Sequence, residues 1–317
     1  VYWLCGRALR ALLCLFGVLG LIFLLLHTLP GDTVTSLVGP DTGVSAARRE
    51  ELRRLFGLDA PLRIQLLRWV TALLHGDLGV SLRTGRRVAE DLFLRLPITA
   101  ELSIFGLLLS IGVALPLGLW AAARPGRVLD RTLEFLSLLG MSLPSFFLGL
   151  LLLLGFSLHL PWLPPAGYVP PVDLKEHLRH LLLPTVTLAV LLGSELWRRT
   201  RAALREVLPC DFIRTARAKG LAEWVVYGRH ALRASALPLV TAVALQLGSL
   251  LGGVVVIETV FGLPGLGRLL VEGVSLRDYP VVQGATLLTA GLLLGVNLLL
   301  DALCVVLDPR LRHGGGG

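Results

Sequence analysis

Charged residues are scarce in this chain: Asp, Glu, Lys and Arg make up 16% of its 317 residues, against about 25% in soluble domains. That shortfall argues against a molecule that faces water on all sides. Lysine is nearly missing. Lys175 and Lys219 are the only two among 30 Lys and Arg, so arginine carries the positive charge. Cysteine is sparse as well. Cys5, Cys14, Cys210 and Cys304 show no C-x-x-C spacing, and three of them lie in or beside apolar runs. Such spacing argues against a disulfide framework or a zinc site, and no residue is assigned to a metal. No G-x-x-x-x-G-K-[ST], H-E-x-x-H or G-x-S-x-G occurs. The chain therefore lacks the loop that cradles ATP phosphates and the common hydrolase signatures. No catalytic residue is assigned, and the chain is not expected to be an enzyme.

What is present is apolar: 54% of the residues, with a mean hydropathy of +0.75. A helix needs about 20 mostly apolar residues to cross the hydrocarbon core of a bilayer. Six runs qualify, at 8–29, 98–123, 133–158, 181–196, 236–261 and 281–307. The first has the outline of a signal peptide, with Arg7 and Arg10 before an apolar core. "HTLPGD" follows it, however, where a small-x-small cleavage site would stand, and the run is longer than a secretory core. It is expected to stay as a helix.

The net charge of +8 does not point to nucleic acid, because the cations sit in blocks beside apolar runs. Cations favour the cytoplasmic side of a membrane. Arg7 and Arg10 precede the first run; Arg124, Arg127 and Arg131 follow the second; Arg198 to Arg233 fill the link after the fourth; Arg310 and Arg312 close the chain. The expectation is an all-α integral membrane protein with six transmembrane helices and both termini in the cytoplasm. In that scheme residues 1–30 form an N-terminal transmembrane helix and 31–97 an extracytoplasmic helical link. Residues 98–307 form a five-helix core with a cytoplasmic loop at 198–235, and 308–317 a cytoplasmic tail.

The outer link looks folded. Ser45 can cap a helix that stops at Gly57. "PLRIQLLRWVTALLHG" reads as an amphipathic helix, and "TGRR" as a turn. This segment could lie on the outer leaflet or dock an extracellular partner. In the next outer link, His177 and His180 share the i, i+3 spacing of a metal pair, but no third ligand stands at matching distance, so a solvated helix face is expected. Glu101, Glu134, Glu195, Glu258 and Asp301 fall near span ends, where they sit at interfacial depth or pair with a neighbour, as Glu195 could with Arg199 at i, i+4. Gln246 and Asn297 lie deeper and could bond across helices or line a path. Gly248 with Gly252, and Gly291 with Gly295, have the four-residue spacing that lets helices approach closely.

The most cationic stretch is "DFIRTARAKGLAEWVVYGRHALRASALP", from Asp211 to Pro238. Asp211 can cap a short helix at 212–219 and Gly220 can end it; a second helix starts at Leu221, and Pro238 falls in the first turn of the fifth span. Arg214 and Arg217 share one side, Ala216 and Gly220 another. An arginine-rich helix can lie on anionic lipid, but a lipid-binding face calls for large apolar residues. Small residues let a partner backbone come close, and arginines offer forked donors to carboxylates. The segment reads as a rigid knob to be gripped.

"RTARAKGL", followed by "RHALRASALPLVT", resembles the EAA loop of ABC importer permeases in the dipeptide/oligopeptide/nickel family. "FGLDAPLRIQLLRWV", "GDLGVSLRTGRRV", "LPITAEL", "SLPSFFLG", "ETVFGLPGLGRLL", "RDYPVVQG" and "LDPRLR" each resemble the first, B-type, permease subunit, so the likeness spans the chain. Thr215 stands where the broader family often has Glu, as in the peptide and nickel branch. The resemblance implies the type I ABC importer (MetI-like) permease fold in a bacterial inner membrane. It assigns coupling to the ATPase to Arg214, Thr215, Ala216, Arg217, Ala218, Lys219, Gly220 and Leu221. It implies a second homologous permease, two ABC ATPase subunits and an extracytoplasmic substrate-binding protein as partners. ATP and Mg would be used by the ATPase subunits, with no cofactor on this chain. Peptides are the expected substrate, nickel or a metal chelate the alternative. An ion-driven secondary transporter would call for paired interrupted helices and charged sites at mid-bilayer, neither of which the sequence shows; a structural or signalling membrane protein is the remaining class.

Overall fold

A computed structural model of the chain describes residues 2–28, 50, 51, 54 and 59–307. These residues are helical apart from turns, links and one isolated antiparallel bridge, Val80 with Arg87. In chain order the helices are α1 (Tyr2–Thr28), α2 (Leu62–Leu74), α3 (Val88–Ala123), α4 (Val128–Ser142), α5 (Ser145–His159), α6 (Leu174–Val207), α7 (Asp211–Ala218), α8 (Glu223–Ala234), α9 (Ala236–Val260), α10 (Leu266–Leu276) and α11 (Tyr279–Leu307). Among the described residues four helices are long and apolar enough to cross a membrane, and up to six spans result if each of two bent pairs counts as one. The helix expected from Ser45 falls largely outside the described residues, as do residues 308–317.

The sharper of the two bends has a local cause. The third apolar run is not one helix: α4 and α5 meet at 109°. Pro144 lacks the N–H that would continue the ladder, and it forces Leu143 into extended backbone at φ −79°, ψ 130°. The second run begins earlier than its apolar content suggests. Helix α3 starts at Val88 and carries Pro97 in its interior, because Val88, Leu92 and Leu96 repeat at helical spacing and pack inward.

Two compact units result, residues 1–99 with 264–294, and 100–263 with 295–317. In the first, Val88 and Leu92 pack with Leu266, Leu269, Val281 and Ala285. Ser81 donates to Asp278 at 2.5 Å, and the Leu82 N–H reaches the same carboxylate at 3.2 Å. The "TGRR" turn forms as expected, with Gly85 at φ +70°. The amphipathic helix forms as α2; His27 of α1 bonds Gln65 at 3.0 Å, and Phe23 stacks on Trp69 at 6.1 Å.

In the second unit α6 is the central helix. Its buried residues run from His177 to Leu204, and its neighbours meet it at glycines. A Cβ on Gly106 would strike Leu188, one on Gly118 would strike Thr200, and one on Gly140 would strike Ser194. The side chain of Gln246 on α9 donates to the Leu192 carbonyl, so it bonds across helices. Asn297 is exposed. The expected Glu195–Arg199 pair is present at 2.6 Å. Close approach does not occur where the spaced glycines suggested it: among the described residues a Cβ at Gly248, Gly252, Gly291 or Gly295 meets nothing within 4 Å.

His177 also departs from expectation. It is buried, with Nδ1 2.6 Å from the Val169 carbonyl oxygen and Nε2 2.7 Å from Glu101 Oε1. Tyr168 donates to the other oxygen of Glu101 at 3.2 Å. The carboxylate on α3, remote in sequence, turns the histidine inward, while His180 bonds the Glu176 carbonyl one turn back.

The glycine contacts give a paired test. Gly118→Ala puts a methyl about 2.8 Å from Thr200 Cβ and should destabilise the purified chain by about 1–3 kcal/mol, the usual cost of overpacking. Gly248→Ala, which meets open space, should be neutral or slightly stabilising. Thermal unfolding of both variants in detergent checks the contrast.

Candidate functional site

Helix α7 is eight residues long, too short to stand alone in water. It is held by what it covers. Ile213 and Ala216, at i, i+3, are its buried pair, and they pack with Leu204 of α6, Ala122 of α3, and Val226 and Ala231 of α8. Charge suits its ends, with Asp211 in the first turn and Arg217 in the last. Asp211 is the first helical residue; Cys210 occupies the cap position and makes no side-chain cap bond. Gly220 then takes φ +75°, the left-handed conformation that ends a helix without steric penalty. Its N–H bonds the Arg217 carbonyl at 2.9 Å. Helix α8 starts at Glu223, two residues later than the sequence suggests, and contains a π-helical stretch, Val226–Ala231.

The eight residues singled out in the sequence therefore separate. Arg214, Thr215, Arg217, Ala218, Lys219, Gly220 and Leu221 are exposed. Ala216 is not; it is spent on the chain's own packing and offers no surface to a partner. Thr215 turns its hydroxyl back to the Asp211 carbonyl at 2.9 Å. Arg217 pairs with Glu223 at 2.9 Å, across the Gly220 turn, and lies 5.9 Å from the ring centre of Tyr227. Among the described residues Arg214 pairs with Asp211 alone, at 3.5 Å. Large apolar side chains share this surface: Trp224 is 78% exposed, Phe212 46% and Leu221 38%. Phe212 and Trp224 lie just outside the matched motif, and the sequence reading passed over them. The buried pair Ile213 and Ala216 is the signal that could have found Phe212, since it fixes which face of α7 points outward.

A second feature had no sequence signal. Asp130, in the first turn of α4, is 1% exposed. Its Oδ2 accepts from the Gly126 N–H at 2.9 Å, from Arg201 at 2.9 Å and from Arg205 at 3.0 Å. Arg201 also lies 3.2 Å from Glu134 and over the ring of Trp197. The same turn of α6 that carries these arginines carries Leu204, which anchors α7.

This surface is suited to gripping a partner. Among the described residues no group of three or more His, Cys, Asp or Glu could hold a metal ion. It offers forked guanidinium donors beside exposed aromatics, the residue types that dominate binding hot spots.

Comparison with known proteins identifies the scaffold. Residues 114–313 match the family described as "Binding-protein-dependent transport system inner membrane component". The dipeptide transport system permease protein DppB of Escherichia coli is 37% identical, covering 94% of this chain and 94% of its own. The glutathione transport system permease protein GsiC of Salmonella paratyphi A is 40% identical, covering 92% and 93%. The oligopeptide transport system permease protein AppB of Bacillus subtilis is 36% identical, covering 97% and 98%. Two solved structures of inward-facing conformations of the MetNI methionine ABC transporter share the fold, with TM-scores of 0.55 and 0.53 at 19% identity. They cover 69% and 68% of this chain and 96% of the matched chains.

The Arg217 guanidinium, with the Tyr227 hydroxyl, holds the Glu223 carboxyl below the usual carboxylate range. A lowered folded-state value means the pair supports the α7–α8 turn fully above the unfolded carboxylate pKa, about 4.3. That support fades as pH falls through the lowered value. Amide exchange at 221–227, corrected for intrinsic rate, should stay level from neutral pH to about 5 and rise only below the ordinary carboxylate range. Glu223→Gln should raise it at every pH in that interval.

Proposed function

The chain belongs to the family of binding-protein-dependent transport system inner membrane components, and on that premise we propose that it forms half of the translocation path of an ATP-driven peptide importer, worked from inside through α7 and α8. The family is one of transport permeases rather than catalysts, and the chain is a multi-pass protein of the bacterial inner membrane. The finer reading takes six spans with both termini in the cytoplasm. The link at 31–97 then lies outside and the loop at 198–235 inside. The arginine blocks support that orientation, since cations favour the cytoplasmic side.

The observation that carries the proposal is the surface of α7 and α8. Phe212 and Arg214 stand exposed on a short helix pinned by Ile213 and Ala216, and Lys219, Leu221 and Trp224 stand exposed in the turn that follows and at the start of α8. An exposed Trp on a rigid, cationic knob favours a protein partner that buries the aromatic and pairs the arginines. We assign that partner as an ABC ATPase subunit. The assembly would hold this chain, a second homologous permease, two ATPase subunits and an extracytoplasmic substrate-binding protein. ATP and Mg would act in the ATPase subunits, with no cofactor on this chain. For the equilibrium to shift, the ATP-bound partners must bind the two permease conformations with different affinity. Peptides are preferred over nickel or a metal chelate as cargo because the relatives named above are permeases for dipeptide, glutathione and oligopeptide.

Trp224→Ala and Phe212→Ala remove exposed side chains and leave the buried pair intact. Each should leave membrane insertion unchanged and weaken retention of the ATPase subunit on co-purification by about 10- to 100-fold, as loss of a binding hot spot does. ATP-dependent peptide uptake into vesicles, measured with and without the binding protein, tests the function itself. Uptake driven by an ion gradient alone, or full ATPase retention by the double variant, would overturn the reading.

A further inference from the structure

We infer that Asp130 is a positioning residue for coupling: it clasps the start of α4 to the end of α6, so that α4 moves with the α7–α8 surface as one body. This rests on the function proposed above. Three helix ends meet at the clasp. The Gly126 N–H, from the link that follows α3, and Arg201 and Arg205, from the last turns of α6, all donate to one buried oxygen of Asp130. Arg201 Nε lies 2.6 Å from the other oxygen. Between the two arginines in sequence stands Leu204, fully buried against Ile213 and Ala216 of α7. One turn of α6 thus faces α7 with its leucine and α4 with its guanidiniums.

Cohesion alone does not call for this arrangement. Buried ion pairs seldom hold a fold together better than apolar packing of the same volume. Helices α4 and α6 already pack closely at Gly140 and Ser194. What a carboxylate held by four polar contacts adds is a fixed angle and register. A push on α7 reaches α6 at Leu204 and passes to α4 through Asp130. Helix α4 then delivers it to the Leu143–Pro144 joint, where the chain turns by 109° into α5. Asp130 touches neither cargo nor ATPase in this scheme; it acts through the arginines.

The test uses the reconstituted complex with its binding protein, and the readout is peptide taken up per ATP hydrolysed. Asp130→Asn removes the charge, while Arg201 keeps Glu134 at 3.2 Å. The complex should still assemble, and uptake per ATP should fall at least tenfold. Asp130→Glu, which restores the carboxylate, should recover most of it. A purely structural residue would change yield or thermal stability and leave that ratio alone. A cross-link supplies the second arm. In a background with the four native cysteines replaced by alanine, Gly140→Cys with Ser194→Cys places two thiols where a Cβ at 140 lies 3.2 Å from Ser194 Cβ, close to disulfide spacing. If α4 and α6 move together, oxidation should leave uptake within twofold of the reduced form. Wild-type uptake per ATP in Asp130→Asn, or uptake lost on oxidation and regained on reduction, would overturn the clasp. Should Asp130→Asn fail to assemble, the cross-link decides. A wild-type complex with no ATP-dependent uptake would instead sink the importer reading, and the clasp with it.

Discussion

Helix α6 meets its neighbours at glycine, and the second unit is organised around that contact. Inside a bilayer, water exclusion gives helices little reason to associate, so close packing and polar cross-links must hold them. Both are present. Gly106 and Gly118 of α3 and Gly140 of α4 let those helices lie against Leu188, Thr200 and Ser194. Gln246 supplies a bond from α9 to the Leu192 carbonyl, and Asp130 an ionic one from α4. Remove the close approach, and the polar links lose the geometry they need.

The surface of α7 and α8 inherits its rigidity from this centre. An eight-residue helix has almost no stability of its own. Helix α7 exists because Ile213 and Ala216 find Leu204, Ala122 and Val226 already in place. Its free face can then carry Phe212 and Arg214, with Trp224 beyond the turn, without any need for those side chains to stabilise the chain. Residues that hold and residues that bind are separated by face along one short segment.

Much of this was legible in the sequence wherever the signal is local. Run length found the apolar helices; Gly220 marked the end of α7; i, i+4 spacing found Glu195 with Arg199; and ordered motifs pointed to the family. Long-range partners were not legible. Nothing near Asp130 announces Arg201 or Arg205, and nothing near His177 announces Glu101, because each partner sits on another helix. Spacing also misled. Gly248 and Gly252 have the right interval for close packing, yet among the described residues a Cβ there would meet nothing within 4 Å, whereas Gly118 and Gly140 belong to no such pair and are tightly enclosed. Ala216 looked like an opening for a partner and is filled by the chain itself. Periodicity reports which residues share a face, not what lies opposite.

The length of α6 has a consequence of its own. Its 34 residues span about 51 Å at 1.5 Å per residue, while the hydrocarbon core is about 30 Å thick. In the proposed arrangement a substantial part of the helix therefore stands clear of the lipid tails. A membrane of different thickness would be met by a change of tilt. The distance between Leu204 and the glycine contacts would stay as the covalent geometry sets it. The stroke delivered at one end would then be insensitive to the lipid composition in which the protein finds itself.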